Sequence, residues 1–314
     1  MAGVRVQVGG RALNLSNLDK VLYPDAGLTK GQVVDYYARI APVLLPHLRG
    51  RPLTLKRYPH GVGGPFFYEK RCPRGRPDWF HTEPVSSGPG HGRVDFCVVT
   101  EVASLVWLAN LAALELHTSL STAADLSRPT VVAFDLDPGA PADIVACCKV
   151  ALLLRRLLER LGLEAFAKTS GSKGLQVYLP LNTPHTYDQT KGFARAVALY
   201  LEERNSSLVV SRMTLALRAG KVLVDWSQND AHKTTVCVYS LRARARPTVS
   251  TPVSWDEVEA TSRRQGPAVL AFEVGEALAR VSERGDLFAP VLSLEQRLPA
   301  AFGEASGRRV PEAP

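Results

Sequence analysis

Apolar and polar positions alternate along this chain with two periods, one suited to strands and one to helices. In residues 4–15, Val4, Val6 and Val8 share one face and Gly9-Gly10 follows, which predicts a hairpin. Ser16 to Tyr23 predicts a short helix or turn bearing Lys20, stopped by Pro24. Thr29 suits the N-cap of a helix from Lys30 to about Leu45, with Val33, Tyr36, Tyr37 and Ile40 on one stripe. Residues 94–120 predict a strand and then a Leu/Ala-rich helix that ends in Leu114-Glu115-Leu116-His117. The apolar run from Val131 predicts a strand stopped by Pro138 and Gly139. Pro141 and Asp143 then open an amphipathic helix to about Leu161, with Gly162 as its stop. Residues 165–181 predict strand, Gly-rich turn, strand, and a helix from Asp188 to Glu203 follows. Val222 to Asp225 predicts another strand, and Trp255 to Glu283 a helical region. The last dozen residues predict a tail, and no internal repeat is present. This order of elements predicts an α/β fold with a mixed central sheet and helices packed outside.

The strand from Val131 carries two acids, Asp135 and Asp137. Side chains two apart on a strand share a face, at about 7 Å between Cα atoms. Carboxylates so placed repel each other unless a cation sits between them, and hard, oxygen-seeking Mg²⁺ or Mn²⁺ meets that need. The same residues also fit a strand ending in a solvated acidic turn. A third acid, Asp225, ends the apolar run Val222–Val224 in a similar setting. Ser170, Gly171, Ser172, Lys173 and Gly174 form a loop of hydroxyls and backbone donors of the kind that cradles phosphate. Gly/Ser turns are also common in plain hairpins.

Residues 49–80 differ from the rest: eight Arg or Lys interleave with Tyr58, Phe66, Phe67, Tyr68, Trp79 and Phe80. Basic groups neutralise phosphates, and exposed aromatics stack on bases for about 1–3 kcal/mol each. Tyr58 and Trp79 are expected in the core. The three adjacent aromatics Phe66, Phe67 and Tyr68 cannot all point inward on one strand. Lys20 and Lys30 are expected near each other, Lys30 in a helical first turn where free N–H groups favour an anion. Each also fits plain solvated surface, and His117 alone fits a structural residue.

Charge sharpens this picture. A net charge of +8 favours a polyanionic partner. The five cysteines form no C-x-x-C pair. Their odd number argues against a zinc ribbon or disulfide framework and for a reducing compartment. The N-terminus has no apolar core of a signal peptide, and Leu105–Leu116 is too short to span a bilayer. A cytoplasmic protein with no membrane association is expected. A chain of 314 residues can bury one large domain or two smaller ones.

LDKVLYP (18–24), GRPLTLKRYP (50–59), ALELH (113–117), FDLDPG (134–139), TSGSKGL (169–175), RAGKVLVDWSQN (218–229) and SLRARARPT (240–248) occur together in that order. In this combination the chain resembles the polymerase domain of bacterial DNA ligase D, within the archaeo-eukaryotic primase superfamily. The resemblance implies a primase-polymerase fold with mixed central β-sheets flanked by helices. It implies a catalytic domain over 1–290, with a basic DNA-binding part at about 1–120, a metal and nucleotide core at about 90–250, and a tail over 291–314. It assigns Asp135, Asp137 and Asp225 to two Mn²⁺ or Mg²⁺ ions and to catalysis. It assigns Lys56, His117, Ser170, Ser172, Lys173, Gln176, Arg218, Gln228 and Arg242 to the incoming nucleotide. Phe67 and Tyr68 match an aromatic pair that meets the templating strand, and Lys20 and Lys30 a pocket for the 5′-phosphate across a gap.

The activity so implied is template-directed addition of NTPs or dNTPs to primer 3′ ends in non-homologous end joining or gap repair. The implied partners are DNA with gaps or 3′ overhangs carrying a 5′-phosphate, with Ku and a DNA ligase. The resemblance has histidine where this chain has Gln176, and an uncharged amide predicts a weaker grip on the triphosphate. A non-catalytic DNA-end binder of the same fold is the alternative that Gln176 raises. A haloacid-dehalogenase-like phosphatase is a second, against which Pro138 and Gly139 stand where Gly and Thr usually follow. The Met start and the untidy tail point to a stand-alone protein.

Overall fold

A computed structural model describes residues 3–86, 92–264 and 270–303. The chain is mixed α/β and divides into two compact units. The first comprises 1–119, 234–251 and 271–286; the second comprises 120–233, 252–270 and 287–314.

In the second unit, Val131–Pro138 lies inside a six-stranded sheet. Antiparallel neighbours flank it, Leu175–Pro180 on one side and Val222–Asp225 on the other. Beyond them lie Phe166–Thr169 with Pro252–Val253, and, parallel to its neighbour, Val209–Val210. Val131, Val132, Ala133, Phe134 and Leu136 are all buried, as a strand inside a covered sheet requires. Helices Ile144–Arg160 and Tyr187–Arg204 pack on this sheet. Asp143 caps the first of them, accepting from the N–H groups of Val145 and Ala146.

The first unit has its own six-stranded sheet, with Leu53–Arg57 between Ala113–Thr118 and Arg93–Cys97 and also paired to Phe67–Glu69. Helix Lys30–Leu48 buries Val33, Tyr36, Tyr37 and Ile40, the expected stripe. The hairpin of Val4–Val8 with Arg11–Leu15 forms as its alternation predicts.

Four expectations change. Residues 21–23 form a short strand rather than helix, and a 3-10 turn follows at Pro24–Ala26. Residues 113–118 leave the preceding helix and become a strand, because Ala112 turns at φ 55. The helical region at 255–283 is two helices, Trp255–Ser262 in the second unit and Val274–Arg284 in the first, each opened by its own capping box. Finally, Cys72 and Cys97 form a disulfide. The bond from Cys72 N–H to Asp95 O brings them side by side, although 25 residues of separation leave no spacing signal. Cys147, Cys148 and Cys237 are free and buried.

Of the expected tail, residues 304–314 lie outside the described residues. Ahead of them, Gln296 donates to the carbonyls of Glu164 and Pro180, and Leu298 is buried. No helix among the described residues is long and apolar enough to cross a membrane.

Candidate functional site

In the second unit, strand register sets four polar side chains in a row. Asp225 lies opposite Asp135, Asp135 opposite Gln176, and Gln176 opposite Lys168. Directly opposed residues on neighbouring strands share a face. Asp137 follows Asp135 on that face and is exposed.

Two glycines allow the surrounding turns to close on the acid strand. A Cβ on Gly174 would lie 2.0 Å from the carbonyl oxygen of Leu136, and one on Gly139 would lie 2.0 Å from that of Arg218. Only glycine permits either approach. The 170–174 loop is held by the Ser170 hydroxyl, which accepts from the N–H groups of Ser172 and Gly174. Ser170 therefore builds the loop, while Lys173 is exposed on it. Asn229 clasps the acid strand where Val222–Asp225 no longer pairs with it: its amide accepts from Ala133 N–H at 2.9 Å and donates to Ala133 O at 2.7 Å.

The electrostatics of this row are unbalanced. Burial, then Asp137 and Asp225, push the Asp135 carboxyl up to about 7, against a hydrogen bond from Gln176 and the charge of Lys168. The Oδ1 of Asp135 is buried with no hydrogen-bond partner. An orphaned carboxylate oxygen beside two further acids fits a hard divalent cation. Asp225 is turned otherwise: it accepts from Ser227 N–H, from the Ser227 hydroxyl and from the Gln228 amide at 2.8 Å, 2.6 Å and 2.8 Å. Among the described residues, no three His, Cys, Asp or Glu stand close enough together to hold an ion in these conformations. The donors thus suit a cation at Asp135 and Asp137, while the Asp225 carboxylate is engaged by Ser227 and Gln228. Arg218 donates to Met213 O at 2.6 Å and carries a buried Nε–H without an acceptor.

In the first unit the centre is Glu115, 2% exposed. Lys56 Nζ lies 3.7 Å from it, Arg242 Nε 3.4 Å and His117 Nε2 2.9 Å, and Ala243 N–H donates to it. Burial alone would raise its pKa, but His117, Arg242 and the Ala243 N–H together bring it down to about 2. Burial, outweighing Glu115, lowers the pKa of His117, whose Nε2–H donates to the Glu115 carboxylate at 2.9 Å. Lys56 also stands 4.2 Å from the Phe66 ring centroid and about as far from Tyr58 (5.3 Å) as from Tyr68 (5.5 Å). Arg57 covers Phe67 at 5.2 Å. Phe66, Phe67 and Tyr68 are 50%, 43% and 58% exposed, as three adjacent aromatics must be, whereas Tyr58 is buried and Trp79 half-buried.

Lys20 is exposed and Lys30 buried, with Lys30 Nζ reaching Ser16 Oγ at 3.4 Å. Burial and then the charge of Lys20 lower the pKa of Lys30. The helix end adds less than expected. The N–H groups of Lys30, Gly31 and Gln32 are taken by Lys20 O, Leu18 O and Thr29 Oγ1. An anion there would meet the lysines, not open backbone donors.

Sequence reasoning missed Glu115, Lys168 and Asn229 as site-building residues. A buried acid two residues before the histidine, inside an apolar strand, was the available signal for Glu115.

The model of the LigD primase-polymerase domain matches residues 29–288. The chain is 42% identical over 281 residues to the multifunctional non-homologous end joining protein LigD of Mycolicibacterium smegmatis, covering 89% of this chain and 36% of that protein. It is 31% identical to the bifunctional LigD of Bacillus subtilis, over 87% of this chain and 43% of that one. The chain thus spans well under half the length of these relatives. The polymerase domain of Mycobacterium tuberculosis ligase D, solved in complex with DNA, superposes with a TM-score of 0.82 at 39% identity, covering 89% of this chain and 98% of that one. By this match, these identities and the shared fold, the chain belongs to the LigD primase-polymerase domain family.

Proposed function

We propose that the chain is a metal-dependent nucleotidyltransferase that adds NTPs or dNTPs to primer 3′ ends at gaps or breaks in DNA. Family membership supports this reading over a phosphatase. The observation that carries it is the buried, unpartnered Oδ1 of Asp135 in a row with other acids. Asp135, Asp137 and Asp225 would hold two Mn²⁺ or Mg²⁺ ions. When bound, such ions would acidify the primer 3′-hydroxyl and offset charge on the triphosphate and departing pyrophosphate.

The chain's own residues do the positioning. Arg218, with a buried N–H lacking an acceptor, suits a phosphate oxygen. Lys173 lies exposed on a tight loop and adds charge. In the first unit, Lys56 and Arg242 are held by Glu115, so their charges are fixed before any ligand arrives. The exposed Phe67 and Tyr68 suit stacking on template bases. Lys20 and Lys30 suit a 5′-phosphate. The solved relative bound to DNA and the end-joining relatives support a place in break repair; Ku and a DNA ligase are the partners this reading proposes.

The test is extension of a 5′-phosphorylated gapped duplex, with NTPs against dNTPs and Mn²⁺ against Mg²⁺. Metal-dependent extension with pyrophosphate release is expected. Tight DNA binding without extension would favour the non-catalytic end binder, for which the engaged Asp225 carboxylate speaks.

A further inference from the structure

Among the described residues, Lys168 is the most deeply buried charge in the second unit, fully shielded from solvent. Its ammonium donates to Gln176 Oε1 at 2.6 Å and lies 5.3 Å from the Tyr178 ring centroid. Lysine can only donate, so it can meet only the oxygen end of the glutamine amide. The amide is thereby fixed: its NH₂ end is left for the opposite neighbour. That neighbour across the strands is Asp135, and the Gln176 side chain hydrogen-bonds its carboxylate. Register alone places all three side chains in line, on three adjacent strands.

We propose that Lys168 and Gln176 are positioning residues for Asp135: the lysine orients the amide, and the amide holds one carboxylate oxygen so that the unpartnered one stays available to a divalent cation. This rests on the reading of Asp135 as a metal ligand. It also changes the meaning of Gln176, which a triphosphate-binding role would aim at the nucleotide. In the structure both ends of its amide are engaged inside the sheet. A glutamine and a neutral imidazole are equivalent in this task, since each offers one acceptor and one donor.

The test titrates Mn²⁺ into metal-free protein, without nucleotide or DNA, and follows free Mn²⁺ by electron paramagnetic resonance. Circular dichroism and thermal melting check folding of each variant. Wild type is expected to bind and Asp135→Asn to lose binding. Gln176→Met is expected to weaken Mn²⁺ by about tenfold or more, the usual effect of removing a partner that orients a ligand. Should that variant not fold, Gln176→Ser, too short to bridge the strands, takes its place. Gln176→His is expected to stay within about threefold of wild type, because imidazole can accept from Lys168 and donate to Asp135. Lys168→Met is expected to be less favourable to Mn²⁺ in wild type than in the Gln176→Met background. There no amide remains to orient and only a repulsive charge is removed.

An unchanged Mn²⁺ affinity in Gln176→Met, with only the nucleotide KM raised, would overturn the proposal and restore a phosphate contact. Equal effects of Lys168→Met in both backgrounds would reduce Lys168 to a bare charge and overturn its orienting role. Mn²⁺ binding that ignores Asp135→Asn would instead sink the metal reading itself, and this inference with it.

Discussion

Glu115 and Asp135 are both acids on buried strands, and their surroundings treat them in opposite ways. Glu115 has two cations, an imidazole and a backbone N–H around it, and its pKa falls to about 2. Asp135 has two acids nearby and one amide, and its carboxyl rises to about 7 with an oxygen unpartnered. Burial costs both, so neighbours decide the sign. The first carboxylate is complete within the protein and organises Lys56, His117 and Arg242 around itself. The second is incomplete, with one buried oxygen left for the cation proposed above.

The comparison breaks most sharply under Asp135→Ala. Nucleotide addition is expected to fall by about a thousandfold or more, the scale of a lost metal contribution of several kcal/mol. DNA affinity in a gel shift should hold, because it comes from basic groups elsewhere. Extension at the wild-type rate would contradict the assignment.

Glu115→Gln comes next and should act on stability. It leaves the half-buried Lys56 and Arg242 together without their counter-charge, at a cost of about 1–3 kcal/mol in urea denaturation. The pH dependence follows from the depressed pKa. Stability from Glu115 is fully present above its ordinary value of 4.5 and is lost as pH falls through about 2. That window is worth roughly 3 kcal/mol in wild type, and Glu115→Gln should remove that part of the acid limb. An identical acid limb in the variant would show that Glu115 is not its source.

Smaller effects sharpen the picture of the first unit. Tyr68→Ala should weaken gapped-duplex binding by about 1–2 kcal/mol if the ring stacks on a base. Fluorescence anisotropy measures this, and an unchanged Kd would leave Tyr68 a mere cover for Lys56. Smallest is Lys20→Ala, expected to reduce the preference for a 5′-phosphate over a 5′-hydroxyl by about threefold, and less at high salt. Equal weakening of both duplexes would mean that Lys20 supplies only general charge.

Local signals carried much of this molecule. Thr29 marked the first helix, Asp143 the helix after the acids, and an apolar run ending at Pro138 and Gly139 marked the strand of Asp135 and Asp137. What stayed hidden were pairings between distant residues. Nothing near Glu115 announces Arg242, and nothing near Cys72 selects Cys97 among four candidates. Lys168 reads as an ordinary strand lysine until register sets it across from Gln176. The anion-ready helix end at Lys30 failed for the same reason, since the oxygens of Lys20 and Leu18 had already arrived there.

The clasp of Asn229 on Ala133 has a consequence for how this chain tolerates insertions and deletions. A side-chain amide that copies both halves of a strand pairing works as a dowel between the acid strand and the turn after Asp225. Slipping that joint by one residue would turn the third acid to the far face of the sheet. The four-residue interval from Asp225 to Asn229 is therefore a fixed length, and Lys233, which donates to the Ser227 hydroxyl at 2.6 Å, ties the turn beyond it to the same carboxylate.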